Sequence, residues 1–214
     1  MNDIDVLATA WFEVGYHEKI TNTPVPYLYD KTNAYDGSNN WTKYHNDLGI
    51  AQGLDWCGFF AYWCFWEQYN GSFVLTNQFL HNMQNLGGAV SDWENAFDAD
   101  GKFWFKGTYN PKPGDVVIFS DDIYPWSHCE IVEDVSGLPN TIQTIGGNTR
   151  NPDDPGDQSR GMYVAQRVRS MTATTQFWVR GFCEVDYDNT PGYLQTWMAA
   201  GSLRKKRRHM FGKH

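Results

Sequence analysis

No apolar run in this 214-residue chain approaches the length of a membrane span, and no apolar core follows a basic N-terminus. The opening Met1-Asn2-Asp3-Ile4-Asp5 is acidic instead, so no secretory signal is expected and synthesis is expected in a cytoplasm. Cysteine is scarce: Cys57, Cys64, Cys129 and Cys183 are too few and too scattered for a disulfide scaffold. Cys57 and Cys64 share one helical pattern, which separates their Cα atoms by roughly 10 Å, too far for a bridge. No CxxC pair supports zinc. His17, His45 and His81 lack partners at ligand spacing, and Asp47, Asp55, Asp121 and Asp122 form no calcium-loop pattern.

Basic residues are also scarce outside one place. Six of the 17 Lys and Arg lie in Gly201 to His214 (Arg204, Lys205, Lys206, Arg207, Arg208, Lys213), leaving 11 against 25 acids, net −14, elsewhere. An acidic body excludes a nucleic-acid-binding domain, which needs clustered positive charge on its folded surface. The basic tail reads as a solvated terminus, or as an anchor to an anionic polymer such as wall teichoic acid or to a partner protein. What is abundant is aromatic: 16% of residues, including ten tryptophans, at a mean hydropathy of −0.57. Most of these rings belong in a core, with some left for grooves that suit sugars and peptides.

Periodicity predicts helices over residues 4–14, 42–48, 57–69, 76–86 and 91–97, the last opening with the capping box Ser91-x-x-Glu94. Residues 16–40, with Pro24 and Pro26, read as loop. Strands are expected at 116–119, 128–135, 141–145, 162–169 and 177–185, and 151–159 is an exposed loop. Helices followed by antiparallel strands give an α+β fold of papain-like type, its N-terminal helices packed on a sheet of about five strands. One domain is expected over residues 3–187, with 188–214 a C-terminal extension bearing the basic tail.

Cys57 sits at the start of a helix behind Asp55, which is expected to act as its N-cap. Free N–H groups and the positive end of the helix dipole favour thiolate there. His128 heads a strand some seventy residues on, the cysteine-then-histidine order of papain-like enzymes. Asn148, at the end of the next strand, is the expected orienting partner of the imidazole. Glu130 competes, but strand rise puts its carboxylate about 7 Å away. Cys129 alternates with His128, so it is expected on the opposite face in a structural role. Cys64 is expected in the core. Candidate second oxyanion donors, beside the Cys57 N–H, are Tyr44 and Gln52. The structural alternatives are a small buried cysteine, a satisfied core histidine and a turn asparagine.

Four segments in order resemble the CHAP domain, the cysteine- and histidine-dependent amidohydrolase/peptidase family of peptidoglycan hydrolases in phage endolysins and bacterial autolysins. They are Trp56-Cys57-Gly58-Phe59-Phe60, Pro113-Gly114-Asp115-Val116-Val117, His128-Cys129-Glu130-Ile131-Val132 and Gly147-Asn148-Thr149. Upstream, Glu13-Val14-Gly15-Tyr16-His17-Glu18-Lys19 and Asn40-Trp41-Thr42-Lys43-Tyr44 resemble the lead-in of a subset from phages of Gram-positive hosts. The resemblance implies Cys57 as nucleophile, His128 as base and Asn148 as orienting residue, cleaving an amide of peptidoglycan without a cofactor. Its departure is Gly146-Gly147-Asn148, where many members have Glu-Gly-Asn. The missing glutamate leaves two options: Asn148 alone, or Glu130 as a partial substitute. It also keeps open a non-catalytic wall-binding or virion structural protein on the same scaffold.

Overall fold

Residues 3–32, 34–150, 161–174 and 176–188 are described by the structure, a computed structural model. The basic tail and the whole of the expected 151–159 loop lie outside them. Among the described residues, six α-helices and one short 3-10 helix (Asn85–Gly87) precede a six-stranded sheet. Helix α1 (Asp3–Glu13) turns Val6, Ala10 and Glu13 inward. The segment expected as loop contains a one-turn helix, α2 (Val25–Leu28), begun by Pro24 and Pro26. Prolines suit a first helical turn, whose N–H groups have no intrahelical hydrogen bond to lose. Helix α3 (Lys43–Leu48) is capped by Thr42, whose Oγ1 accepts from the His45 N–H at 3.3 Å, and ends on left-handed Gly49.

Helix α4 (Cys57–Gln68) is buried at every position from Cys57 to Phe65, as a central helix must be. Its N-cap is Trp56, with no side-chain cap. Asp55 therefore does not fill the expected capping role; its carboxylate accepts from Asn148 Nδ2 at 3.4 Å. Helix α5 (Phe73–Phe79) starts and stops earlier than expected. Ser72 caps it, and positive φ at His81 and Asn82 prevents its continuation. Helix α6 (Val90–Ala99) uses Asp92 at its start, the carboxylate accepting from the Ala89 N–H at 3.2 Å. The expected Ser91–Glu94 box does not form, because Glu94 is bound by Arg180 and Trp126.

The strands are β1 (Phe103–Phe105), β2 (Val116–Asp121), β3 (His128–Asp134), β4 (Thr141–Thr149), β5 (Tyr163–Ser170) and β6 (Phe177–Cys183). All pairs are antiparallel, in the order β1-β6-β2-β3-β4-β5. Strand β1 is the addition to the expected five; three residues are too few to show alternation. One face of the sheet, with Ile118, Cys129, Ile131 and Ile145, packs under α4 in the main core, which extends from Val6 to Val185. The other face holds Val117, Phe119, Val132, Ile142, Val179 and Phe182. In a flat sheet β5 and β6, four strand spacings apart, would stand about 19 Å from each other. Yet the Arg169 guanidinium of β5 lies 5.1 Å from the Phe177 ring centroid of β6. The sheet is curled, and this second face is its concave interior.

The Pro-Gly-Asp segment before β2 is structural. Asp115 accepts from the backbone N–H of Lys112 (2.8 Å) and Val185 (3.0 Å) and from the Tyr109 hydroxyl (3.0 Å), tying the start of β2 to the end of the sheet. Burial pushes its carboxyl up to about 6 against those three donors.

Candidate active site

Trp56 fixes the approach to Cys57. Its indole stacks on Tyr44 (centroids 5.4 Å apart, planes at 20°), and its Nε1–H donates to Glu18 Oε2 at 2.8 Å. Glu18 Oε1 accepts from the Asn40 N–H at 3.1 Å, so both lead-in segments grip the residue that precedes the nucleophile. Behind them the Tyr44 hydroxyl donates to Glu13 Oε2 at 2.8 Å, and Lys43 Nζ pairs with the same carboxylate at 2.5 Å. Tyr44 is fully buried and committed to Glu13, so it is not placed to donate to an oxyanion. Gln52 is committed too: its Oε1 accepts from the Thr42 N–H at 2.7 Å and its Nε2 donates to the Thr42 carbonyl at 2.8 Å.

Cys57 is the first residue of α4, where N–H groups have no intrahelical acceptor. Its sulfur receives hydrogen bonds from the Cys129 thiol and backbone N–H and lies against the His128 ring. The thiol is held well below its ordinary range, first by the Cys129 thiol and then, against the penalty of burial, by His128. Cys129 is pushed up correspondingly, by that hydrogen bond and by burial. Cys129 does face the helix-packed core as alternation required, but that core holds the nucleophile's sulfur. Sequence reasoning took it as structural only because the position of α4 over β3 was not available. Cys64 and Cys183 are buried, and burial pushes both thiols up. All four cysteines are free.

The partner of His128 is Glu130. His128 Nε2 lies 3.1 Å from Glu130 Oε1, because both long side chains lean together across the two-residue step of the strand. Measuring along the backbone alone overstated that separation. With Nε2 occupied, Nδ1 is the nitrogen left for the thiol. Burial works against a charged ring, but the Cys57 sulfur and then Glu130 overcome it and raise His128 to about 9. A thiolate–imidazolium pair results. Asn148, expected to orient the ring, stands at positive φ (53°) on a bulge in β4, and its amide is turned to Asp55.

Glu130 is fully buried and bound on both oxygens. Arg169 is bidentate, Nη2 to Oε1 and Nε to Oε2 at 2.8 Å, and the Thr144 hydroxyl donates to Oε2 at 2.6 Å. Burial pushes this carboxyl up; the Arg169 guanidinium, then His128, outweigh it and hold it below the usual range. No sequence motif pointed to Arg169 or Thr144: Thr144 reaches Glu130 from the adjacent strand β4, and Arg169 from β5, one strand beyond, as the sheet curls.

The other histidines have structural partners. His17 Nδ1 bonds the Glu18 carbonyl, His45 Nδ1 the Thr42 hydroxyl, and His81 Nδ1 the Asp100 carboxylate. Asp121 caps a turn through the Ile123 and Tyr124 N–H groups, and Asp47 accepts from Trp63 Nε1. Among the described residues no group of three or more His, Cys, Asp or Glu could hold a metal, and no helix is long and apolar enough to cross a membrane.

A cysteine at a helix head against a histidine at a strand head is the arrangement that the comparisons with known proteins bear on. Residues 49–148 match the family model of the CHAP domain. CHAP domains form a peptidoglycan-hydrolase-type amidase/peptidase family and are usually cysteine- and histidine-dependent hydrolases. The CHAP match contains Cys57, His128, Glu130 and Asn148, and begins after α1 to α3. No curated protein matches the chain significantly. Among solved structures, the crystal structure of Ly7917 is similar at a TM-score of 0.44 and 11% identity, over 85% of this chain. The chain spans 62% of that protein's length.

Proposed function

We propose that the chain hydrolyses an amide bond of bacterial peptidoglycan by covalent thiol catalysis. The observation that carries this is the placement of Cys57, at the head of α4, against the buried His128 ring, where the thiol is shifted down and the imidazole up. The Cys57 sulfur attacks the amide carbonyl, and the oxyanion forms beside the Cys57 backbone N–H. The His128 imidazolium then gives its proton to the departing amine, leaving an acyl-enzyme. Neutral His128 next takes a proton from water, which attacks the thioester; acid is released and the pair restored. The mechanism calls for no cofactor.

The bond is the N-acetylmuramoyl-L-alanine amide or a peptide bond of the stem or cross-bridge. The CHAP match supports the polymer; the reading taken with it is a wall lysin of phage type, acting after release or as part of a virion. Purified walls incubated with the protein and with Cys57→Ala test the reading. Loss of solubilisation in the variant, with wall binding retained, is expected. Equal solubilisation by both overturns it, and a wild type that binds without cutting favours the non-catalytic scaffold. Mass spectrometry of the fragments separates the bonds: free stem peptides with intact lactyl-muramic acid mean an amidase.

A further inference from the structure

A glycine on the neighbouring strand explains how Glu130 comes to be where it is. A Cβ built on Gly146 of β4 would lie 2.5 Å from Glu130 Cγ and 2.6 Å from Oε1, inside any real contact. Position 146 and the Glu130 carboxylate compete for one volume beside the imidazole. With no side chain at 146, a carboxylate from His128's own strand enters, and it arrives with every acceptor site engaged. Oε1 takes His128 Nε2 and Arg169; Oε2 takes Arg169 and Thr144. Arg169 is fixed in turn, its guanidinium over the Phe119 and Phe177 rings at 5.2 and 5.1 Å and its Nη2 donating to Thr149 Oγ1 at 3.1 Å. Those two rings also flank His128.

We propose that Glu130, admitted by Gly146 and clamped by Arg169, is the group that orients His128, and that Asn148 is not. The proposal rests on the Cys57–His128 reading above. A carboxylate kept ionised by a bidentate guanidinium accepts only, so it fixes the Nε2–H tautomer and turns Nδ1 toward Cys57. It also stabilises the imidazolium, and through it the thiolate. Arg169 touches neither reacting group; it is a positioning residue acting through Glu130. The charged and titratable groups around this carboxylate are His128 and Cys129 of β3, Arg167 and Arg169 of β5, and Cys57 of α4 beyond the ring.

The test is carried out on the full chain, with alkylation of Cys57 by iodoacetamide measured by peptide mass spectrometry from pH 5 to 10, beside solubilisation of purified walls. Glu130→Gln, which keeps size and shape, is expected to move the acid limb of the alkylation profile up by about one pH unit, the effect of a one-unit rise in the thiol's pKa. Arg169→Met is expected to shift the profile the same way, and Arg169→Lys to restore part of it. Asn148→Ala is expected to leave the alkylation profile in place. Gly146→Ala is expected to resemble Glu130→Ala in the native background and to add less than twofold in Glu130→Ala, since the volume is then vacant. An unshifted Glu130→Gln profile, a shifted Asn148→Ala profile, or independent multiplication of the Gly146 and Glu130 effects overturns the proposal. If a Glu130 variant does not fold, the Arg169→Lys and Gly146→Ala profiles decide by the same criteria. Alkylation involves no wall, so the expected shifts without wall cleavage by the native protein would sink the peptidoglycan reading and leave the clamp standing.

Discussion

Cys129 directs both its thiol and its backbone N–H at the sulfur of Cys57, so that sulfur is supported by the strand beneath it as well as by its own helix. Removing the side-chain donor should separate the two contributions. Cys129→Ser keeps an O–H donor and is expected to preserve the reactivity of Cys57 below neutrality. Cys129→Ala removes it and is expected to move the acid limb of the alkylation profile up by about one pH unit, one unit of thiol pKa. Equal profiles for the two variants would assign the support to the backbone N–H alone.

The ion pair sets the pH response. Cys57 is depressed and His128 raised to about 9, so thiolate and imidazolium coexist through neutrality and part when the ring loses its proton. Alkylation of Cys57 is therefore expected to be nearly constant from pH 6 to 8, where an ordinary thiol of pKa about 8.5 gains almost tenfold per unit. Wall hydrolysis should decline above about pH 9, when no proton remains for the leaving amine. In His128→Ala the alkylation curve should rise toward that of an ordinary thiol; a curve still flat would remove the pair.

Tyr44→Phe distinguishes a scaffold role from an oxyanion role. Its hydroxyl is spent on buried Glu13, so the change is expected to lower stability by about 1–2 kcal/mol in urea unfolding while kcat stays within about twofold. Loss of an oxyanion donor typically costs about 100-fold or more in kcat, and a drop of that size would return Tyr44 to the reaction.

Gly58, next to the nucleophile, seats α4 against the turn at residues 85–87. A Cβ there would stand 2.0 Å from the Gly87 carbonyl oxygen, a backbone atom that cannot swing aside. Gly58→Ala is expected to destabilise the protein by about 1–3 kcal/mol and to move the head of α4. Thermal melting with alkylation at fixed pH reads both effects; an unchanged melt and rate would mean the turn yields freely.

Asp115→Ala is expected to cost about 2–3 kcal/mol, since it strands the Lys112 and Val185 N–H groups and the Tyr109 hydroxyl. Wall cleavage well below the melting temperature should persist. Loss of cleavage in a folded variant would give the Pro-Gly-Asp segment a role beyond structure.

Much of this was legible from local pattern. Thr42 and Gly49 bracket α3 as cap residues do, and the short apolar strands from Val116 onward, set apart by turn residues, declared the sheet. Cys57 and His128 stood out because their chemistry depends on where a helix and a strand begin. Illegible features depended on tertiary approach. Asp55 has the chemistry of a cap yet is turned to Asn148, and Glu94 was drawn from its helix start by Arg180 across the sheet. The Glu130–Arg169 pair needs the curl of the sheet, which no periodicity records. Gly146, taken as the loss of a carboxylate, is the opening through which another enters.

The grip on Trp56 has a practical side. The segment matching CHAP starts at residue 49, but the indole before the nucleophile is seated by Tyr44, Glu18 and, through them, Glu13 and Asn40. Anyone trimming this protein to its recognisable portion would discard the wall of the socket and keep the tooth. A shortened version or a fusion partner should be joined ahead of α1, since Val6 and Ala10 already belong to the core that carries Cys57.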